Sequence, residues 1–172
     1  MKAVSNASPL IILGKLGQLG LLLKVFDQVI IPREVYNEVV INGLRLGSPD
    51  AMAVDFLVQQ GRIQVADVVL PSPLPGWAAP IDAGELEAIL LAQEQQPDWV
   101  IIDNAHARRA ARQAGLALKG TVGVLLEAFR RDYLSFQDLE LLLQTIKSRP
   151  EFWISESLCD QALAQARREM WS

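Results

Sequence analysis

Five short apolar segments alternate with helical segments along the chain, and this alternation limits the possible folds more than any other feature. The short segments are rich in β-branched residues, which are typical of strands, and the segments between them carry the start and stop signals of helices. Because parallel strands need crossover connections, this alternation predicts a parallel sheet covered on both faces. We therefore expect an α/β protein, a three-layer α/β/α sandwich around a parallel sheet of about five strands. The predicted strands are residues 2–5, 28–31, 62–66, 98–102 and 116–119.

The predicted helices begin at residues that commonly start helices. Ser8 before Pro9 is a typical start, because serine caps a helix and proline at the first position loses no hydrogen bond. Segments 43–47 and 70–80 are expected to be loops, the second because it holds four of the nine prolines. We expect one domain over residues 1–172, with C-terminal helices at about 136–170 packed on it. The further predicted helices span residues 33–40, 49–60, 82–95, 104–114, 121–131, 136–147 and 155–169.

The composition indicates a globular, acidic protein whose metal chemistry would use oxygen ligands. Hydrophobic residues make up 51% of the chain and charged residues 21%, which is ordinary for a folded domain. The net charge of −4 argues against a protein that coats nucleic acid by charge alone. One cysteine, Cys159, excludes an internal disulfide, and with His106 as the one histidine it excludes Cys- or His-rich zinc sites. The 20 acidic residues therefore favour Mg²⁺ or Mn²⁺.

The apolar N-terminal stretches, residues 10–13 and 19–26, lack the features of a signal peptide or a membrane span. Glycines and lysines interrupt them, and no window reaches the roughly 18 uncharged apolar residues that a spanning helix needs. We therefore expect a cytoplasmic protein with no membrane partner. The same stretches carry more apolar surface than one core stripe needs, so we also expect self-association.

Polar side chains follow three of the predicted strands at their carboxyl ends. Asn6 and Ser8 follow the first strand. Asp103 follows the fourth strand, and Thr121 follows the fifth. Ligands of parallel α/β sheets collect at this edge. Two interpretations of Asp103 stay open, because an aspartate at this position either caps the next helix or holds a metal.

The glutamates of the predicted helix 82–95 lie on two different sides. Glu87 and Glu94 fall on the expected solvent face, whereas Glu85 falls among apolar residues. A glutamate in apolar surroundings is costly unless it meets a cation, which favours a metal ligand. However, Asp82 as the N-cap with Glu85 as its capping-box partner explains the same position without a metal. Both interpretations of Glu85 stay open.

Other patterns add little to the choice of function. Helical periodicity places Glu34 and Glu38 together, away from the apolar side of helix 33–40, so it assigns Glu38 to solvent. The chain has no glycine-rich nucleotide-binding motif and no nucleophile elbow. His106 is expected to be exposed. An α/β phosphatase is disfavoured, because no Asp-x-Asp follows the first strand.

Five short motifs occur in a fixed order along the chain. They are Val4-Ser5-Asn6-Ala7-Ser8-Pro9-Leu10-Ile11, Ile31-Pro32-x-x-Val35-x-x-Glu38, Asp82-Ala83-Gly84-Glu85-x-Glu87-Ala88-Ile89, Ile102-Asp103-x-x-x-x-Arg108 and Gly120-Thr121-x-Gly123-x-Leu125. Each is weak by itself, but in this order they resemble the PIN-domain family over about residues 3–155. The resemblance is to a prokaryotic branch catalogued as a domain of unknown function (DUF3368).

The resemblance implies a PIN-like α/β/α fold and a Mg²⁺- or Mn²⁺-dependent endoribonuclease related to the VapC-type toxins of toxin–antitoxin pairs. It implies RNA as substrate, an antitoxin protein as partner, and a homodimer. It is also the feature that raises Glu38 to a site residue. By motif match, the catalytic and metal-binding residues would be Asn6, Glu38, Glu85 and Asp103, with Ser8, Thr121 and Arg108 in support.

Asn6 departs from the family pattern, in which the first acidic residue is usually aspartate. An amide oxygen can bind Mg²⁺ but contributes no charge, so metal affinity should be lower. The alternative function is therefore a catalytically weak PIN-fold module that binds RNA or protein.

Overall fold

A sheet of five parallel strands lies at the centre of the protein, whose computed structural model describes residues 1–171. The strands are β1 (Lys2–Ser5), β2 (Gln28–Pro32), β3 (Ile63–Ala66), β4 (Trp99–Ile101) and β5 (Leu118–Lys119). Their order across the sheet is β3-β2-β1-β4-β5, and each neighbouring pair is parallel. The predicted α/β fold with a central parallel sheet is confirmed.

The strand order reverses next to β1, and this brings two chain segments together. From β1 the chain adds β2 and β3 on one side, and it then returns to add β4 and β5 on the other. Ser5 pairs with Ile101, and the backbone N–H of Asn6 donates to the Ile101 carbonyl at 3.0 Å. The residues that follow β1 and β4 therefore meet at the carboxyl edge of the sheet, where sheets of this kind bind ligands.

Helices form the connections between the strands. Within residues 1–171, no helix is both long and apolar enough to cross a membrane. One π-helical segment, Asn37–Asn42, joins α3 to α4, and 3₁₀ turns occur at Gly76–Ala78 and Pro150–Phe152. The α-helices are α1 (Ala7–Lys15), α2 (Leu19–Val25), α3 (Arg33–Tyr36), α4 (Gly43–Arg45), α5 (Pro49–Gln59), α6 (Ala83–Gln95), α7 (Ala105–Gln113), α8 (Thr121–Arg130), α9 (Phe136–Lys147) and α10 (Glu156–Glu169).

Two hydrophobic cores, one on each face of the sheet, make the protein a three-layer sandwich. Side chains alternate along each strand, so Val4 and Val100 belong to one core while Ala3 and Ile101 belong to the other. Helices α6 and α7 close the smaller core. The larger core is built from α1, α2, α5 and α8 together with the C-terminal helices α9 and α10.

The apolar N-terminal helices are buried inside the larger core. Leu10, Leu13, Leu22 and Phe26 are all buried, and α8 packs against both α1 and α2. The argument that these helices carry surplus apolar surface is therefore wrong, because α8 covers it within the larger core, and self-association stays a prediction. Large exposed apolar side chains occur on and between α4 and α5: Leu44, Leu46, Met52 and Phe56.

Two predicted helix boundaries are wrong. Asn6, and not Ser8, is the N-cap residue of α1. The helix predicted over residues 33–40 continues through the π-helical segment and α4, so the predicted loop 43–47 is helical as far as Arg45. A π-helical turn contains more residues than the 3.6-residue turn on which the prediction rests. Burial of Val39 and Val40 within that segment keeps it packed on the protein.

Candidate active site

Asn6 presents an unpaired oxygen at the carboxyl end of β1. The residue is 4% exposed, and its side chain makes no capping hydrogen bond to α1. Its Oδ1 atom is buried without a hydrogen-bond partner. A buried polar atom that lacks a partner costs about 1–3 kcal/mol, and such an oxygen is a suitable ligand for a hard cation.

Asp103 follows β4 and does not cap the helix that comes next. Asn104 caps α7, because its Oδ1 accepts hydrogen bonds from the backbone N–H groups of His106 (2.8 Å) and Ala107 (3.1 Å). Asp103 instead accepts a hydrogen bond from the Thr121 backbone N–H at 2.7 Å and another from the Thr121 hydroxyl at 2.6 Å. Asp103 is therefore fixed at the N-terminus of α8, across the sheet edge from its own strand.

The space for the Asp103 carboxylate depends on Gly120. A Cβ atom at residue 120 would lie 2.8 Å from Oδ1 of Asp103. Arg108 lies close by, but its Nη1 donates to the Ile102 carbonyl at 2.7 Å. Burial raises the pKa of Asp103, while the hydrogen bonds from Thr121 and the charge of Arg108 act against that rise. The charged form of such a half-buried carboxylate is stabilised by any cation that reaches it.

Glu85 is buried in the first turn of α6 and takes part in a capping box. The Glu85 backbone N–H donates to Oδ1 of Asp82 at 2.8 Å, and the Asp82 backbone N–H donates to Oε2 of Glu85 at 3.2 Å. The predicted capping box is therefore confirmed. Burial, followed by the charge of Asp82 and then that of Glu38, raises the pKa of Glu85. Since the box uses only one carboxylate oxygen, the other stays available to a ligand.

Glu38 reaches the same first turn of α6 from the π-helical segment. The residue as a whole is exposed, yet its carboxylate lies against Gly84, where an added Cβ atom would be 3.3 Å from Oε2 of Glu38. Partial burial of the carboxyl group, together with the charges of Asp82 and Glu34, raises the pKa of Glu38. The helical period assigned Glu38 to solvent, and the residue is exposed, but its carboxylate also lies near enough to Glu85 for the two charges to interact.

The predicted residues thus form two groups. Glu38 and Glu85 lie near each other around Asp82, and Asp103 lies with Thr121 and Arg108. Among residues 1–171, no three His, Cys, Asp or Glu side chains are arranged so that they could hold a metal ion. The chemistry of the donors fits Mg²⁺ or Mn²⁺, since all are oxygens and Oδ1 of Asn6 lacks a partner. A site that joins Glu85 to Asp103 stays a prediction.

Glu87 has a different position from the one predicted, while Glu94 is exposed as expected. Glu87 is half-buried, and its Oε2 accepts a hydrogen bond from the backbone N–H of Glu34 at 3.1 Å. This contact caps α3 from α6, between residues 53 positions apart in the chain. The helical period of α6 alone cannot reveal such a partner.

Two cavities open beside Asp103. The first has a volume of about 360 Å³, and Ser8, Lys15 and Trp153 help to line it. The second has a volume of about 370 Å³, and Arg108 and Lys119 help to line it. Ser8, predicted as a supporting residue, is therefore close to Asp103 on one side, and Arg108 is close to it on the other.

Helix α7 concentrates positive charge next to Asp103. It contains Arg108, Arg109 and Arg112 and no acidic residue. Arg109 and Arg112 are exposed, and neither forms an ion pair within residues 1–171. Burial and the charge of Arg112 lower the pKa of Arg108, so these cations repel one another. An unneutralised group of arginines attracts polyanions even though the whole chain is acidic.

Comparison with known families agrees with this fold. The DUF3368 family model, described as a PIN domain, matches residues 2–168. The chain belongs to the PIN-domain family, and the resemblance seen in its five motifs is confirmed. Members of the family have a nuclease-type fold, generally use divalent metals and bind nucleic acid. No curated protein matches the chain.

Proposed function

We propose that this protein is a metal-dependent endoribonuclease that binds Mg²⁺ or Mn²⁺ through Asn6, Glu38, Glu85 and Asp103. The observation that carries the proposal is the pair of oxygen donors at the edge where β1 and β4 meet, the buried Asn6 and the half-buried Asp103. Asn6 contributes an oxygen without a hydrogen-bond partner. Asp103 contributes a carboxylate that two hydrogen bonds from Thr121 hold in place. An unpaired buried oxygen such as Oδ1 of Asn6 costs free energy, and a bound cation would offset that cost.

The side chains around the donors have separate tasks in this proposal. Thr121 holds both oxygens of Asp103, and each oxygen keeps a second lone pair for another partner. Asp82 fixes one oxygen of Glu85 and leaves the other free of the capping box. A bound divalent cation would stabilise charge on the phosphate and lower the pKa of a water ligand. The protein's contribution is to keep the donors in place before the cation arrives.

RNA as the substrate is supported by the arginines of α7. The helix begins at Ala105, two residues after Asp103, and its exposed Arg109 and Arg112 follow within three turns. A strand whose phosphates contact these arginines would therefore lie on the same helix that starts at the proposed site. Arg108 supports the edge from the inside through its hydrogen bond to the Ile102 carbonyl. The positive helix offers the phosphate backbone a contact that the net charge of −4 does not reveal.

The alternative, a catalytically weak module that binds RNA or protein, is favoured by two observations. Asn6 contributes no charge, and residues 1–171 lack a preformed cluster of three acidic ligands. The weak module and the nuclease share the arginine helix, so RNA binding alone does not separate them. Metal-dependent cleavage does.

A role as the toxin of a toxin–antitoxin pair, exercised in the cytoplasm as a homodimer, belongs to the same proposal. The exposed apolar side chains on and between α4 and α5 offer a surface for an antitoxin or a second copy. Light scattering at micromolar concentration tests the dimer, since a mass of only 19.0 kDa would contradict it.

The decisive experiment compares Glu85→Gln with Glu94→Gln. Glutamine preserves the capping box with Asp82 but removes the charge, so Glu85→Gln should fold normally and lose metal binding and cleavage. Glu94 is an exposed glutamate on the same helix, and its substitution should change neither property. Mn²⁺ binding is measured by calorimetry, and cleavage is measured on a structured RNA with single-stranded loops. Cleavage that survives in Glu85→Gln, or wild-type protein that binds RNA without cleaving it in Mn²⁺, would contradict the proposal.

A further inference from the structure

The first cavity beside Asp103 has a mixed aromatic and charged lining. It shares Ser8 and Asp103 with the proposed metal site. Its lining also includes the rings of Phe152 and Trp153, the cation of Lys15 and the carboxylate of Glu151. At about 360 Å³ the cavity lies within the range of small-ligand sites. Anything bound in it lies next to Asp103.

Trp153 is the most unusual residue of this lining. It is 93% exposed, although tryptophan ordinarily buries most of its surface. Its backbone is left-handed, with φ of 54° and ψ of 28°, directly after the turn Pro150–Phe152. Residues other than glycine rarely adopt this conformation, and where they do it is commonly associated with a functional position.

Contacts of Phe152 and Arg149 fix the turn that precedes Trp153. Phe152 is buried, and the Arg149 guanidinium lies 4.4 Å from the centre of its ring. Arg149 also pairs with Glu151 at 2.7 Å. Because these contacts anchor the residues before Trp153, its exposed indole is presented from a fixed support.

Lys15 adds the charge that a nucleotide needs. It is exposed at the end of α1 and forms no ion pair within 4 Å among residues 1–171. The nearby carboxylate of Glu151, whose pKa its charge helps to lower, is already paired with Arg149. A cation next to an exposed aromatic ring is the combination that binds single-stranded nucleic acid, with the base on the ring and the phosphate on the cation. A base inside a duplex is stacked on its neighbours and cannot enter.

We propose that this cavity binds an unpaired nucleobase of single-stranded RNA, which stacks on Trp153 while an adjacent phosphate contacts Lys15. The inference rests on the proposed ribonuclease function, because the cavity shares Asp103 with the proposed site. It adds a base-binding subsite beside the proposed metal site, with Trp153 as the residue that contacts the base.

The test compares Trp153→Ala, Trp153→Tyr and Trp171→Ala in the full chain. Trp171 is the matched control, since it is 85% exposed and lies beyond α10. Fluorescence anisotropy with a labelled single-stranded RNA, in EDTA so that no cleavage occurs, gives the dissociation constants. Loss of one stacked base should weaken binding about tenfold in Trp153→Ala. Trp153→Tyr should stay within about threefold of wild type because it keeps an aromatic face, and Trp171→Ala should match wild type.

The outcomes separate this inference from the proposed function. Equal affinity of wild type and Trp153→Ala for single-stranded RNA would overturn the base-binding cavity. The ribonuclease proposal would remain intact in that case if cleavage in Mn²⁺ still depended on Glu85. A wild-type protein that neither binds nor cleaves RNA would overturn both. A duplex of the same sequence should show no difference between the variants, and a tenfold difference there would also overturn the inference. If Trp153→Ala unfolds, Lys15→Gln tests the same cavity, since it should lower the salt dependence of RNA binding by about 0.7.

Discussion

Gly120→Ala tests the position of Asp103 more directly than any change to Asp103 itself. A Cβ atom at residue 120 would lie 2.8 Å from Oδ1 of Asp103, which is closer than side-chain carbons approach other heavy atoms. The backbone of Gly120, with φ of −110° and ψ of −178°, is one that alanine adopts without strain. The effect of the substitution therefore comes from this one contact, and we expect the Asp103 carboxylate to be displaced.

The size of the effect follows from what holds the carboxylate. Thr121 donates two hydrogen bonds to Asp103, at 2.7 Å and 2.6 Å, and a hydrogen bond to a charged group contributes about 1.5–3 kcal/mol. Replacing glycine by alanine also lowers the entropy of the unfolded chain, which stabilises the protein by about 0.4–1 kcal/mol. If one of the two bonds is lost, the free energy of unfolding falls by about 1–2 kcal/mol.

Gly123→Ala is the matched control for this measurement. Gly123 belongs to the same motif and lies inside α8, but its added Cβ atom would be 3.6 Å from Cβ of Lys119, an ordinary contact. Alanine inside a helix is more stable than glycine by about 0.5–1 kcal/mol, so the control should be stabilised. Urea unfolding gives both values at a constant m-value. If Gly120→Ala is as stable as Gly123→Ala, the reasoning about Asp103 is refuted.

Three further predictions concern charge at the site. The carboxyl groups of Glu38, Glu85 and Asp103 have raised pKa values, so the folded protein binds protons more tightly than the unfolded chain. Their contribution to stability is therefore lost as pH rises from about 4 through the raised pKa values. Because Mn²⁺ binds the deprotonated carboxylates, it should raise Tm more at pH 7 than at pH 5. An equal rise at both values would contradict this. Replacing both exposed arginines of α7 by glutamine should lower the salt dependence of RNA binding by about 1.4, measured by anisotropy, and an unchanged slope would exclude them as phosphate contacts. Asn6→Asp should lower the stability of the metal-free protein and strengthen Mn²⁺ binding by about 1–2 kcal/mol, measured by calorimetry; an unchanged affinity would show that Asn6 is not a ligand.

The fold could be predicted because its signals are local. The five strands are short runs of apolar residues, and each lies at the predicted place to within about two residues at either end. The N-terminal helices misled the prediction of surplus apolar surface, since their local sequence does not say how many layers will cover them. Helix α8, about 100 residues later in the chain, covers them by packing against α1 and α2.

The site could be predicted only in part, because its contacts are not local. For Asp103 the sequence offered a cap for the next helix or a metal ligand, whereas the structure gives that cap to Asn104 and fixes Asp103 by a residue 18 positions later. Glu87 was assigned to solvent by its period, yet its partner is Glu34 on another helix. Periodicity describes which way a side chain leaves its own helix, and it contains no information about the element that lies opposite.

The glycines of the motifs explain what periodicity could not. Gly84 lies against the Glu38 carboxylate, at 3.3 Å from its added Cβ atom, and Gly120 lies against the Asp103 carboxylate in the same way. In both cases the glycine and the acid belong to different motifs, far apart in the sequence. A residue without a side chain contributes nothing to a hydrophobic period, although here the missing Cβ atom leaves the space that the carboxylate occupies. The ordered set of motifs therefore describes the candidate site better than any single helix does, because Glu38 and Asp103 each lie against a glycine of another motif.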